Sequence, residues 1–164
     1  MAVNRLAMRP DWRAYMNTAE PGAPIPIWTE VGEGFTAVAE SKNAQEYSVR
    51  YVHETTERTS VTGYASEISY TCDLYTLDPA CRRVAKAHEY EQIGTDAVVE
   101  IVNVNYFDEL TNGEFWAAKR KFSIIPDTKG DGTDALNYSG SLRAFGDNTY
   151  GSWDKDTATF TPEP

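Results

Sequence analysis

The chain has 164 residues, 41% of them hydrophobic and 24% charged, with a formal net charge of −10 and a pI near 4.6. That length suits one domain burying roughly 70% of its unfolded surface. The charge argues against a protein that grips duplex DNA through its phosphates, because such binding needs lysine and arginine to displace counterions.

No run approaches the ~20 apolar residues of a membrane-spanning helix, so no membrane insertion is expected. Met1 to Trp12 contains no apolar core of a signal peptide, and Asn137-Tyr-Ser139 is then a chance sequon. The two cysteines, Cys72 and Cys81, form no C-x-x-C motif, and with only His53 and His88 beside them they offer no zinc-ligand spacing.

Residues 1–24 have no clear period and are interrupted by Pro10, Pro21 and Pro24. They read as an N-terminal arm ahead of a domain spanning 25–164. Arg5, Leu6, Met8, Trp12, Tyr15 and Met16 make this segment richer in apolar surface than a disordered tail. It is either an arm laid on a neighbour or a strand or turn packed on its own domain.

Ile25–Val31 and Phe35–Glu40 are short strand candidates on either side of Gly32-Glu-Gly34. Gln45–Val52 alternates, with Tyr47, Val49 and Tyr51 on one face. His53–Ser60 is wholly polar and too long for a tight turn, which predicts a projecting loop. Val61–Leu74 reads as one long alternating strand, with Cys72 on its apolar face as a small core residue. The one helix starts at Asp78, a capping residue followed by proline, and places Cys81, Val84, Ala85 and His88 at helical spacing before Gly94. A single histidine at the border of an apolar stripe is more often packed than catalytic, and His88 is read that way.

Asp96–Ile125 carries the strongest signal. Two runs rich in β-branched and aromatic residues flank Asp108–Gly113, which contains turn-forming Asn112 and Gly113; together they read as a hairpin. In the second run Trp116, Ala118, Phe122 and Ile124 share one face, with Lys119, Lys121 and Ser123 on the other. In the first run the alternation changes phase between Ile101 and Val102. Either a bulge shifts the register or the strand is covered on both sides. Pro126–Asp134 only faintly resembles a calcium loop, because Lys129 and Tyr138 stand where ligands are required; it reads as a glycine turn. Leu136–Ala144 is a further strand, and Tyr150–Phe160 closes the chain as a small hairpin around Asp154-Lys-Asp156.

These elements predict a mainly β fold: a β-sandwich or barrel of about seven or eight strands with one flanking α-helix. No nucleophile elbow, P-loop or dinucleotide fingerprint is present. No catalytic, cofactor-binding or metal-binding residue is assigned, no cofactor is expected, and the chain is read as a structural or binding protein, not an enzyme.

The order and spacing of several motifs resemble the major tail tube proteins of long-tailed, siphovirus-type bacteriophages. These are Tyr51-Val-His-Glu54 followed by a polar loop and Val61-Thr-Gly-Tyr64, Asp96-Ala-Val-Val-Glu-Ile-Val-Asn103 after a single helix, Asp131-Gly132 leading into Leu136-Asn-Tyr-Ser-Gly140, and Gly146-Asp-Asn-Thr-Tyr-Gly-Ser-Trp153 followed by Thr157-Ala-Thr-Phe-Thr161. The likeness spans residues 25–162. It implies a subunit of stacked six-membered rings in the virion tail, assembled in the bacterial cytoplasm. Its partners would be itself and the tail-tip or initiator, tape measure and terminator proteins, and DNA would pass through without specific binding. Within the 53–60 loop, Glu54, Glu57 and Arg58 are the candidates for contact between rings. Glu46, Glu67 and Glu100, on the polar faces of their strands, are the candidates for an acidic lumen wall. Two rivals stand beside this reading: the tube of a phage-derived contractile bacteriocin or injection system, and a monomeric carbohydrate- or protein-binding module using Trp28, Trp116 and Trp153.

Overall fold

The computed structural model describes residues 3–130 and 132–164; Met1, Ala2 and Asp131, with the readings that touch them, lie outside these. The fold is mainly β, a curled half-barrel of seven strands with one helix. In chain order the strands are β1 (Trp12–Asn17), β2 (Trp28–Glu30), β3 (Phe35–Ser41), β4 (Ala44–Val49), β5 (Arg58–Tyr64), β6 (Glu67–Asp73), β7 (Val98–Glu109), β8 (Phe115–Lys129), β9 (Asn137–Ala144), β10 (Thr149–Asp154) and β11 (Thr159–Pro162). The helix α1 (Pro79–Glu89) lies between β6 and β7. The half-barrel runs β2-β1-β7-β8-β9-β6-β3, while β10 and β11 branch from β8, and β4 and β5 form a separate two-stranded ribbon.

The leading segment contributes β1, which pairs with both β2 and β7. Its Ala14 and Met16 are buried, and that burial places it in the sheet. A boundary at residue 24 would thus fall between two hydrogen-bonded strands. The expected single strand Val61–Leu74 is instead two, β5 and β6. The chain bends at Ala65–Ser66, where the Ala65 amide bonds to the Asn43 carbonyl and buried Ser66 accepts from the Ala144 amide. Pro126–Lys129, read as part of a turn, continues β8.

The phase change in β7 is not a bulge. The pairing of β7 with β8 is continuous from Val98 opposite Ser123 to Asn105 opposite Trp116, and the irregularity comes only beyond Asn105. Side chains two residues apart share a face, so Val99 and Ile101 project to one side and Val102 and Val104 to the other. Each side has its own core. One contains Met16, Ile68, Tyr70, Val84, Ile101, Phe122 and Leu142 and is closed by α1. The other is smaller and joins Val102, Val104, Ala117 and Trp153. Arg9 reaches from the N-terminal segment to the Val38 carbonyl (3.1 Å), linking the β1 side of the half-barrel to edge strand β3.

The start of α1 is as the sequence predicts: the Asp78 carboxylate accepts from the Cys81 amide at 3.1 Å. A cap of this kind contributes about 1 kcal/mol. Cys72 and Cys81 are both free thiols in the core, and burial raises the pKa of each, to about 11 and about 12. A thiol so disfavoured as thiolate is a poor nucleophile.

Candidate assembly surfaces

The β4–β5 ribbon is the most exposed structured part of the chain. It continues β3 and β6 beyond the bend, with no neighbouring strand on either side among the described residues. Tyr47, Val49, Ser60 and Arg58 project from one of its faces, and Val61, Glu46, Ser48 and Thr59 from the other. Tyr47, Tyr51, Val52, Val61 and Tyr64 are all at least half exposed. A two-stranded hairpin alone is marginally stable in water, so apolar residues on both faces mark a surface that gains by being covered.

Two of the three residues proposed for ring contact hold this ribbon's turn together. Glu54 forms an ion pair with Arg58, and its carboxylate lies 3.8 Å from His53 Nε2 and accepts from the Tyr51 amide at 3.4 Å. The Arg58 guanidinium stands 5.9 Å above the Tyr51 ring. These groups preform the turn and leave exposed Glu57 as the candidate without an ion pair among the described residues.

The three lumen candidates do not share one place. Glu46 is on the ribbon. Glu67 and Glu100 lie on the side of the half-barrel away from the larger core, beyond the strand ends that the smaller core covers, each opposite a cation: Glu67 pairs with Arg143 in register and Glu100 with Lys121. The Glu67–Arg143 contact is 3.8 Å and largely exposed, worth under about 1 kcal/mol. Lys119 shares this face, opposite Val102. Between the charges the face carries short side chains, among them Ser69, Ser123 and Ser141. This surface is closer to electrically balanced than to acidic, because the cross-strand register brings a cation to each carboxylate.

The tryptophans proposed as a carbohydrate site are divided by the sheet. Trp153 is fully buried in the smaller core, stacked on Tyr15 at 4.5 Å and edge-on to Trp28 at 6.3 Å. Trp116 projects to the opposite face beside Tyr150. Core packing accounts for the first two.

Around the C-terminal turn of α1, His88 bonds to the Tyr70 hydroxyl at 2.9 Å, and the Tyr138 hydroxyl donates to Glu89 at 2.8 Å. Glu89 is also ion-paired with Lys129. Sequence spacing places His88 correctly but cannot identify these partners, which arrive from β6, β8 and β9. Burial lowers the His88 pKa, against an opposing pull from Glu89. The unfolded chain therefore takes up a proton near pH 6.5, which the folded chain resists. This contribution to stability is complete above that value and is lost as pH falls toward the depressed folded value. The unfolding midpoint is expected to drop between pH 7.5 and 5.5, and less steeply in His88→Gln; equal slopes by circular dichroism would refute the assignment.

No protein-family model and no curated protein matches the chain. Among solved structures it is similar to a chain from the tail of an empty GTA particle computed with C6 symmetry, at a TM-score of 0.59 and 15% identity over 88% of this chain and 98% of that one. A chain from the six-fold symmetrised baseplate of the anti-feeding prophage aligns at a TM-score of 0.45 and 9% identity, over 92% of this chain and 97% of that one. The first likeness establishes a shared fold: a curled sheet with one helix, as found in a tail subunit.

Proposed function

We propose that the chain is a structural subunit of a phage-type tail, that its copies form six-membered rings, and that the rings stack into a tube conducting DNA. The observation that carries this is the β4–β5 ribbon, a preformed projection with apolar side chains on both faces. The fold shared with a subunit of a C6-symmetric tail supports it, and so does the order of the sequence motifs. Contacts that close make rings; contacts between opposite ends do not close and make stacks. The siphovirus-type major tail tube is the particular member we favour, acting in the virion with tail-tip, tape measure and terminator proteins, without cofactor or catalysis. The exposed part of that side, with its serines and its carboxylates opposite cations, is our candidate lumen wall. It offers a passing polyanion little to hold, because few cations on it are uncompensated.

The test is removal of the ribbon. The Asn43 carbonyl and Ala65 amide already hydrogen-bond at 3.2 Å, so a two-residue Asn-Gly link can replace residues 44–64. We expect a folded chain that no longer forms tubes in negative-stain micrographs, whereas the intact chain does at high concentration. Tubes from the shortened chain, or an intact chain that stays monomeric in light scattering under all conditions, would overturn the reading.

A further inference from the structure

We infer that copies of this chain join end to end by seating the β7–β8 turn of one copy in the groove beside α1 of the next. The inference rests on the proposed function and assigns one of its contacts.

The groove has a volume of about 670 Å³. The helix lines it with Arg82, Arg83 and Lys86, and the facing segments with Glu20 and Asp96. None of the three cations is ion-paired with a carboxylate among the described residues. Arg82 donates to the Thr76 carbonyl, and Arg83 to Gln92 and to the Asp96 carbonyl. Glu89, also at the groove, is taken up by Lys129. Counting Glu20 and Asp96 against the three cations, the groove keeps one positive charge in excess, on a chain of net charge −10.

The β7–β8 turn is its counterpart. It carries Asp108, Glu109 and Glu114, none ion-paired among the described residues, beside an exposed Phe107. Two bonds preform its shape: the Leu110 amide to the Glu114 carbonyl and the Gly113 amide to the Leu110 carbonyl.

Placement decides what this complementarity builds. Asp96 at the groove lies just before β7 and Glu109 ends it, so one strand runs from groove to turn, about 36 Å at ~3.3 Å per residue. Complementary sites at opposite ends of a molecule cannot satisfy each other within one copy, and between copies in a common orientation each turn meets the next groove. They repeat head to tail, with an axial repeat on the order of 36 Å.

The test is a charge-reversal pair. Glu109→Lys with Glu114→Lys gives a chain whose turn and groove are both cationic. Arg82→Glu with Lys86→Glu gives one whose turn and groove are both anionic. Circular dichroism checks that each folds, and since all four side chains reach the surface, both should. Each variant alone is expected to need at least about tenfold more protein to form stacks, which is about 1.4 kcal/mol. Mixed in equal amounts they should assemble at close to the intact chain's concentration, because each turn then meets an opposite groove. Stacking by either variant alone at the intact chain's concentration, or a mixture no better than its components, would overturn the inference and leave the tail reading standing. An intact chain that forms no stacks would remove both.

Discussion

Replacing Trp153 with alanine is expected to destabilise the chain by about 3–5 kcal/mol, the usual cost of emptying a fully buried indole site. A loss of that size is a large fraction of the stability of an ordinary domain. Trp153 is 1% exposed and sits at the centre of the smaller core, where Val102, Val104 and Ala117 surround it and Tyr15 and Trp28 pack against it. Those neighbours come from separate strands of the curled sheet, so collapse to fill the void would need several strands to move together. Trp153→Phe should cost much less. It keeps an aromatic ring, and it removes an indole N–H that has no hydrogen-bond partner among the described residues, a group that is costly to bury. Chemical denaturation of the three chains checks the order; a Trp153→Ala midpoint near that of the intact chain would contradict the packing described.

Gly140→Ala is expected to cost about 1–3 kcal/mol, the range for forcing atoms into a filled core. Gly140 lies mid-strand in β9, opposite Tyr70 of β6. A Cβ there would stand 2.4 Å from the Ile125 carbonyl oxygen and 2.7 Å from the Tyr70 hydroxyl. The carbonyl belongs to the sheet backbone, so the methyl group is admitted only if β8 and β9 part and Tyr70 also moves. Its hydroxyl is the partner of His88, so the variant should also lose part of the acid sensitivity assigned to that histidine. Glycine in a strand interior marks a close approach of this kind. Thermal unfolding at pH 7.5 and 5.5 separates the two effects, and an unchanged midpoint at both would show that the strands can part to admit the methyl group.

Much of the fold is legible in local chemistry. Asp78-Pro79 fixes where α1 begins, since the carboxylate caps an amide the helix cannot satisfy and proline has no N–H to lose. The two apolar runs around Asp108–Gly113 become β7 and β8, and of the polar stretch expected as a loop, 53–57 becomes the turn of a projecting ribbon while Arg58, Thr59 and Ser60 open β5.

What only the tertiary structure decided concerns which face each residue meets. Alternation tells that Val99 and Val102 point to opposite sides, not that each side has a core of its own; that follows from α1 covering one face while β10 brings Trp153 over the other. Trp28, Trp116 and Trp153 are equivalent as a list, yet Trp153 is buried with half-buried Trp28 packed against it and Trp116 looks the other way. Glu67 and Glu100 read as free carboxylates until pairing sets Arg143 and Lys121 opposite them. Glu54 and Arg58 read as free contacts until the turn folds them onto each other. In the chain as a string, periodicity assigns a side; only strand pairing assigns a neighbour, and charge balance, burial and exposure are properties of neighbours.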